Sequence, residues 1–352
     1  MSDDVIAKAI EVLRLNDLGH YTVPTHGLYP FQWNWDSALS ALGLAYVDED
    51  RAWTEIETLF DHRWEDGMVP HIIFHKIDPG YFPGPEVYDT KRPVPTSGLT
   101  QPPVTGFAVR RLYDRAKYKE MARARAGALL PKIARWHDWF YSARDPDGTG
   151  LVAVIHPWET GRDNSIDWDV AFERVPTEGV GDFQRRDTQH ADPAHRPTQE
   201  QYKRYIWLVQ LFRGLGWDNT KLHDASPFRI VDPGFNAILL RSAMDLADLA
   251  EELGDTGLAR AQRAQAAQGL AALETLWSDD RQQYLCYDRV TKALIDNPSV
   301  GGLIPAFARS PRRGPPRSPR TSTRWGSGCA TSSRAMTRMR RATTARYWRG
   351  PA

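Results

Sequence analysis

The feature that most constrains this chain is the pairing of long amphipathic segments across very short links. Residues 36–47, "DSALSALGLAYV", and 50–63, "DRAWTEIETLFDHR", carry apolar residues three to four apart, with only two residues between the segments. Residues 235–253 and 256–277 repeat the layout. Helices joined so closely run antiparallel and bury their apolar stripes on each other. The same periodicity predicts helices over 4–16, 103–116, 119–142 and 199–215. Short runs such as "LVAVIH" (151–156) can be strands, but nothing supports a sheet of any size. The expected class is all-α. Repeated hairpins can close into a ring of inner and outer helices, an α/α toroid, and with no fixed-period sequence repeat the repetition is architectural only.

The connections at 64–101 and 145–198 are far longer than ordinary loops and rich in Pro, Gly, Trp, Tyr, His and Asp. Loops of this length and content tend to carry function. Together with "HGLYPFQWNWDS" (26–37) they hold most candidate site residues, and in a toroid such connections gather round the mouth of the central cavity. The chain also carries thirteen Trp, whose flat apolar faces suit packing and stacking on sugar rings alike.

Charge is unevenly spread. From Arg309 to Ala352 there are twelve Arg and no Lys, Asp or Glu, which leaves residues 1–308 with 33 basic against 44 acidic side chains, a net charge of −11. An acidic body argues against nucleic acid or an anionic membrane as partner. The two cysteines, Cys286 and Cys329, form no CxxC, which excludes a disulfide framework or cysteine-rich zinc site and fits a reducing compartment. The N-terminus, "MSDDVIAKAIEVLRLNDLGH", is acidic at its start and unlike a signal peptide, and no apolar run approaches the roughly 18 residues of a membrane span. A soluble cytoplasmic protein is expected. Without a P-loop or GxGxxG fingerprint, no nucleotide cofactor is expected.

Three motifs can carry chemistry, each beside a plainer reading. "WETGRDNS" (158–165) offers Glu159 and Asp163 as acids of the kind that cleave glycosidic bonds, or is a solvated polar loop. In "YPFQWNWDSAL" (29–39), Trp33 and Trp35 can form a sugar platform with Asp36 accepting from two adjacent hydroxyls, or Asp36 is simply a helix N-cap. "HIIFH" spaces His71 and His75 as a helical metal pair would, but lacks the HExxH glutamate and a third ligand, so structural histidines and no metal are expected.

Together these segments resemble the trehalase and processing-α-glucosidase clan of inverting glycoside hydrolases. Within it they are most similar to the bacterial glucosylglycerate/mannosylglycerate hydrolases of glycoside hydrolase family 63. The resemblance rests on four ordered blocks: "FQWNWDSAL" (31–39), "TQPPV" (100–104), "WETGRDNS" (158–165) and "RYWRGP" (346–351). It implies an (α/α)6 barrel of which residues 1–308 form a part, agreeing with the hairpin reading. It implies Asp163 as general acid, protonated at working pH beside apolar walls such as Trp158. It also implies a sugar subsite built from Tyr29, Gln32, Trp33, Trp35 and Asp36, with Gln101 as a further polar contact. Trp158, Glu159 and Asn164 join that set from the acid's block, and Tyr347 and Trp348 from the last. For a glyceric-acid aglycone, Tyr81, Arg196 and Tyr202 supply a cation and hydroxyls, Arg being able to bind a carboxylate through two parallel hydrogen bonds. No cofactor is implied, and the partner is a small carbohydrate substrate.

One departure matters. In the family "RYWRGP" continues into further helices, one connection of which carries the general-base glutamate. Residues 309–345 have no hydrophobic periodicity and no acids. They read either as a disordered basic tail for acidic partners, or as a stretch translated out of frame before 346–352 recover a family motif. The second reading leaves the ring incomplete, the base missing and the chain nearly inactive. The expected function is that of an inverting α-glycosidase acting on glucosylglycerate or, second, mannosylglycerate. The alternatives are a non-catalytic carbohydrate-binding protein and a trehalase or oligosaccharide α-glucosidase.

Overall fold

The computed structural model describes residues 3–186 and 196–309. Eight helices of eleven or more residues run through them: α1 (Asp3–Asn16), α2 (Asn34–Leu44), α3 (Glu49–Asp61), α4 (Thr105–Arg115), α5 (Lys119–Arg144), α6 (Gln199–Gly214), α7 (Pro233–Leu253) and α8 (Thr256–Leu273). Each coincides with a segment predicted from periodicity to within four residues at either end. The segment 309–345 lies outside the described residues, apart from Arg309 at the end of a short helix, and so do the last block, Tyr347, Trp348 and Cys329.

Local chemistry sets several of the boundaries. Asp48 caps α3, its Oδ1 accepting from the Arg51 N–H at 3.0 Å. A capping box opens α6: Thr198 Oγ1 accepts from the Gln201 N–H at 3.1 Å, and Gln201 Oε1 accepts from the Thr198 N–H at 2.9 Å. Asp232 caps α7 through the Gly234 N–H at 2.8 Å, with Pro233 at the first helical position. Each such cap stabilises its helix by about 1 kcal/mol. The opening of α2 differs from expectation. It starts at Asn34 behind Trp33, which makes no side-chain cap bond. The acceptor comes instead from Gln101, 66 residues away, whose Oε1 takes the Trp35 N–H at 3.2 Å. Asp36 is therefore not the N-cap; it sits in the first turn.

The helices form two layers. α2, α4 and α7 lie side by side, and α3, α5 and α8 pack behind them as the second arm of each hairpin. α7 is buried nearly all round, which its apolar content requires. A buried polar cross-link ties the layers: the Gly106 N–H of α4 donates to Ser242 Oγ of α7 at 2.9 Å. That hydroxyl lies 2.9 Å from His137 Nε2 of α5, whose Nδ1 is 2.6 Å from Gln262 Oε1 of α8. Burial pushes His137 down to about 4, so the ring is neutral.

Among the described residues the strands are each two residues long, in two pairs and one three-stranded sheet, and "LVAVIH" contributes only an isolated bridge, Val154 to Ile230. One pair matters for function: Gln32–Trp33 runs antiparallel to Ile72–Ile73, joining the first loop to the second. No described helix is long and apolar enough to cross a membrane.

Candidate active site

A cavity of about 260 Å³ lies where the long connections meet. The Gln32–Trp33 strand sets its first wall. Successive strand residues face opposite sides, so Trp33 lines the cavity while Gln32 points away into a buried network. There Gln32 Nε2 donates to Glu55 Oε1 at 3.0 Å, and Gln32 Oε1 lies 2.8 Å from His75 Nε2. The first turn of α2 then delivers Trp35 and Asp36 to the cavity. Burial raises the Asp36 carboxyl to about 6, against the lowering pull of a backbone N–H and the Trp35 side chain.

Gly161 brings the acidic block against this wall. Its φ is +66°, and a Cβ there would lie 2.6 Å from Trp35 Cζ2, so the indole can press directly on the backbone. The turn Pro157–Thr160 sends neighbouring side chains in different directions. Trp158 lines the cavity. Glu159 is buried beneath it, with Oε1 accepting from Arg144 Nη2 at 2.8 Å and Oε2 from the Ile155 N–H at 2.9 Å. Asp163 lines the cavity, and its backbone carbonyl accepts from Tyr205 Oη at 2.9 Å. Asn164, next to it, is not part of the wall.

Tyr29, Tyr81, Tyr202, Gln101 and Arg196 also line the cavity, the rings of Tyr29 and Tyr81 meeting Trp33 edge-on at 5.3 and 5.9 Å. Arg196 Nη2 donates to Tyr29 Oη at 3.0 Å, joining residues 167 apart in sequence. A second guanidinium, Arg186, also lines the cavity and forks onto Asp78, at 2.7 Å to Oδ1 and 3.2 Å to Oδ2. His71 and Tyr88 complete the wall. His71 Nδ1 is 2.5 Å from Ser97 Oγ, and burial holds the ring neutral. His71 and His75 flank a strand, so the helical geometry of a metal pair does not arise.

Among the described residues one cluster has metal-ligand chemistry: Asp167, Asp232 and Cys286. It lies outside the cavity wall, and the Arg162 guanidinium bonds both carboxylates, at 3.0 and 2.7 Å, so a counter-cation is already in place.

The sequence profile of the mannosylglycerate hydrolase MGH1-like glycoside hydrolase domain matches residues 29–352. The chain belongs to this family. It is 47% identical over 307 residues to mannosylglycerate hydrolase MGH1 of Selaginella moellendorffii, covering 86% of this chain and 63% of that protein. The crystal structure of a family 63 mannosylglycerate hydrolase from Thermus thermophilus, in complex with Tris and D-glycerate, matches with a TM-score of 0.84 at 46% identity. That match covers 87% of this chain and 73% of the solved one. A more distant relative, the glucosylglycerate hydrolase of Mycolicibacterium hassiacum, is 38% identical over 259 residues, 70% of this chain and 58% of that protein. The chain thus spans under two thirds of the Selaginella relative's length.

Three of the four family blocks converge on the cavity, through Trp33, Trp35 and Asp36, through Gln101, and through Trp158 and Asp163. Ten of the predicted site residues line it; Gln32, Glu159 and Asn164 do not. For Gln32 the reason is strand alternation, and for Glu159 a buried arginine that takes its charge. The wall residues that sequence reasoning missed are chiefly Gly161, His71, Tyr88 and Arg186. The glycine inside "WETG" was a usable signal for Gly161. Nothing local distinguishes Arg186 within "FQRRD".

Proposed function

We propose that the cavity binds a small glycoside of glyceric acid and that the chain carries the acid half of an inverting glycosidase site. The observation that supports this best is the convergence of Trp33, Trp35, Asp36, Asp163 and the Arg196–Tyr29 pair on one cavity. Aromatic faces suit a sugar ring, a carboxylate suits paired hydroxyls, and a guanidinium suits the glycerate carboxylate. Asp163 then protonates the leaving glycosidic oxygen. The mannosylglycerate hydrolases reported above are more similar to this chain than the glucosylglycerate hydrolase, so we place mannosylglycerate ahead of the glucosylglycerate expected from the motifs.

Inversion also needs a second carboxyl to activate water, roughly 6.5–9.5 Å from the acid. Among the described residues the only other carboxylate in the wall is Asp36, which we assign to the sugar's hydroxyls. The described residues of the wall therefore supply a substrate site with the acid and no second carboxylate placed to serve as base. The fold we infer is an arc of a six-hairpin ring. In support, α1 leaves Val5, Val12 and Leu15 about half exposed, a face a neighbouring helix would cover. If that face is open, Leu15→Glu lowers the binding of a hydrophobic dye; unchanged dye binding counts against it.

Titration with mannosylglycerate, followed by quenching of tryptophan fluorescence, tests the reading. Saturable binding is expected, and Arg196→Ala should weaken it about tenfold or more while leaving methyl α-mannoside binding unchanged. Equal effects on both ligands refute the glycerate assignment. Fusing the C-terminal part of the Selaginella relative onto residues 1–308 separates the classes: turnover marks a hydrolase, and binding without turnover marks a carbohydrate-binding protein.

A further inference from the structure

Arg162 precedes the candidate acid, but its side chain runs away from the cavity into the protein. Nη1 donates to Asp167 Oδ2 at 3.0 Å and to Ser165 Oγ at 3.3 Å, and Nη2 donates to Asp232 Oδ2 at 2.7 Å. Asp232 is also the residue that caps α7. The guanidinium stacks over Trp168, 5.4 Å from the ring centre. Gly301 closes the site from outside: a Cβ there would lie 2.6 Å from Asp167 Oδ2 and 2.7 Å from Arg162 Nη2. On the other side of the same backbone, the buried Tyr205 of α6 donates its hydroxyl to the Asp163 carbonyl at 2.9 Å.

The turn bearing Asp163 is thus tied to the start of α7 and to the middle of α6. A polar turn needs no such fastening. Burying two carboxylates around one guanidinium costs several kcal/mol per ion in lost hydration, and apolar residues of similar size often stabilise a fold as well or better. The arrangement makes physical sense where a backbone must be held in one geometry. We infer that Arg162 is a positioning residue for Asp163, fixing where the acid's carboxyl enters the cavity by fastening its turn to α7, with Tyr205 fixing the adjoining carbonyl. This rests on the reading of Asp163 as the group that meets the glycosidic oxygen.

Two measurements on the 352-residue chain test it. The first is hydrogen exchange of the ligand-free protein. Arg162→Met should raise exchange in the peptide 157–168 by about tenfold or more while peptides of α5 stay protected. Arg289→Met, which breaks a different arginine–aspartate pair at Asp145, should leave 157–168 unchanged. Unchanged exchange at 157–168 in Arg162→Met overturns the proposal whether or not any sugar binds. The second is a double-mutant cycle in mannosylglycerate affinity. Arg162→Met should weaken binding about tenfold in the parent and not further in Asp163→Ala, because a residue acting through Asp163 has nothing left to act on. Equal losses in both backgrounds show a role in stability alone and overturn the proposal. Asp163→Ala binding as tightly as the parent defeats the acid reading instead, and the exchange result still decides whether Arg162 holds the turn. If Arg162→Met does not fold, Arg162→Lys, which cannot span both carboxylates, and Tyr205→Phe, which removes one hydrogen bond, are read the same way.

Discussion

Replacing Glu159 by Gln separates a substrate contact from a structural one within the acid's own block. Glu159 and Arg144 are each 1% exposed and meet at 2.8 Å. The guanidinium is held further by the Ala143 carbonyl at 3.2 Å and by the Trp139 ring at 4.6 Å, none of which neutralises its charge. Breaking one side of a buried ion pair costs roughly 3–5 kcal/mol because the surviving charge stays desolvated. A Gln recovers part of this: its carbonyl can accept from Arg144 or from the Ile155 N–H, but its NH2 then faces the other donor. The two effects leave a destabilisation of about 3 kcal/mol. With a urea dependence of about 3 kcal/mol per molar for a chain of this size, the midpoint should fall by about 1 M. Below that midpoint, mannosylglycerate affinity should stay within about threefold of the parent, since Glu159 does not line the cavity. Asp163→Asn is the matching control, with stability retained and affinity reduced. If Glu159→Gln leaves the urea midpoint unchanged and abolishes binding, the structural assignment of Glu159 is wrong.

Three further outcomes follow from the same structure. His137 and His156 are held near 4 and 3 by burial, below an unfolded value near 6.5, so their contribution is full above that value and is lost as pH falls through it. By pH 5 they cost about 4 kcal/mol together, against about 1 kcal/mol gained by Asp36, whose raised carboxyl acts in the opposite sense. Urea unfolding free energy should therefore drop by at least about 3 kcal/mol between pH 7.5 and 5, since burial lowers His71 and His75 in the same sense, and a flat profile would contradict the neutral buried rings. Gly161→Ala combines a left-handed backbone with the 2.6 Å approach to Trp35, so it should cost about 2 kcal/mol and weaken sugar binding, seen as altered tryptophan quenching. Finally, if ionised Asp36 accepts the sugar's hydroxyls, affinity should fall about tenfold per unit below pH 6, and Asp36→Asn should bind weakly with no such dependence.

Periodicity located all eight long helices because each is amphipathic over several turns and buries its own stripe, information contained in the local sequence. The site was partly legible for another reason: tryptophans, carboxylates and arginine in long loops have few uses, and their order matches a family. The errors share one cause. Asp36 looks like an N-cap until Gln101, 66 residues away, takes that task. Gln32 looks like a sugar contact until the strand pairing turns it from the cavity, and Glu159 until Arg144 claims its charge. Arg186 joins the wall only because its loop folds back to Asp78, 108 residues earlier. Sequence alone determined the helices, the family and which residue types can act on a glycoside. Tertiary structure decided which of those side chains face the cavity, because the direction of a buried polar group is set by whichever distant partner satisfies its hydrogen bonds and charge.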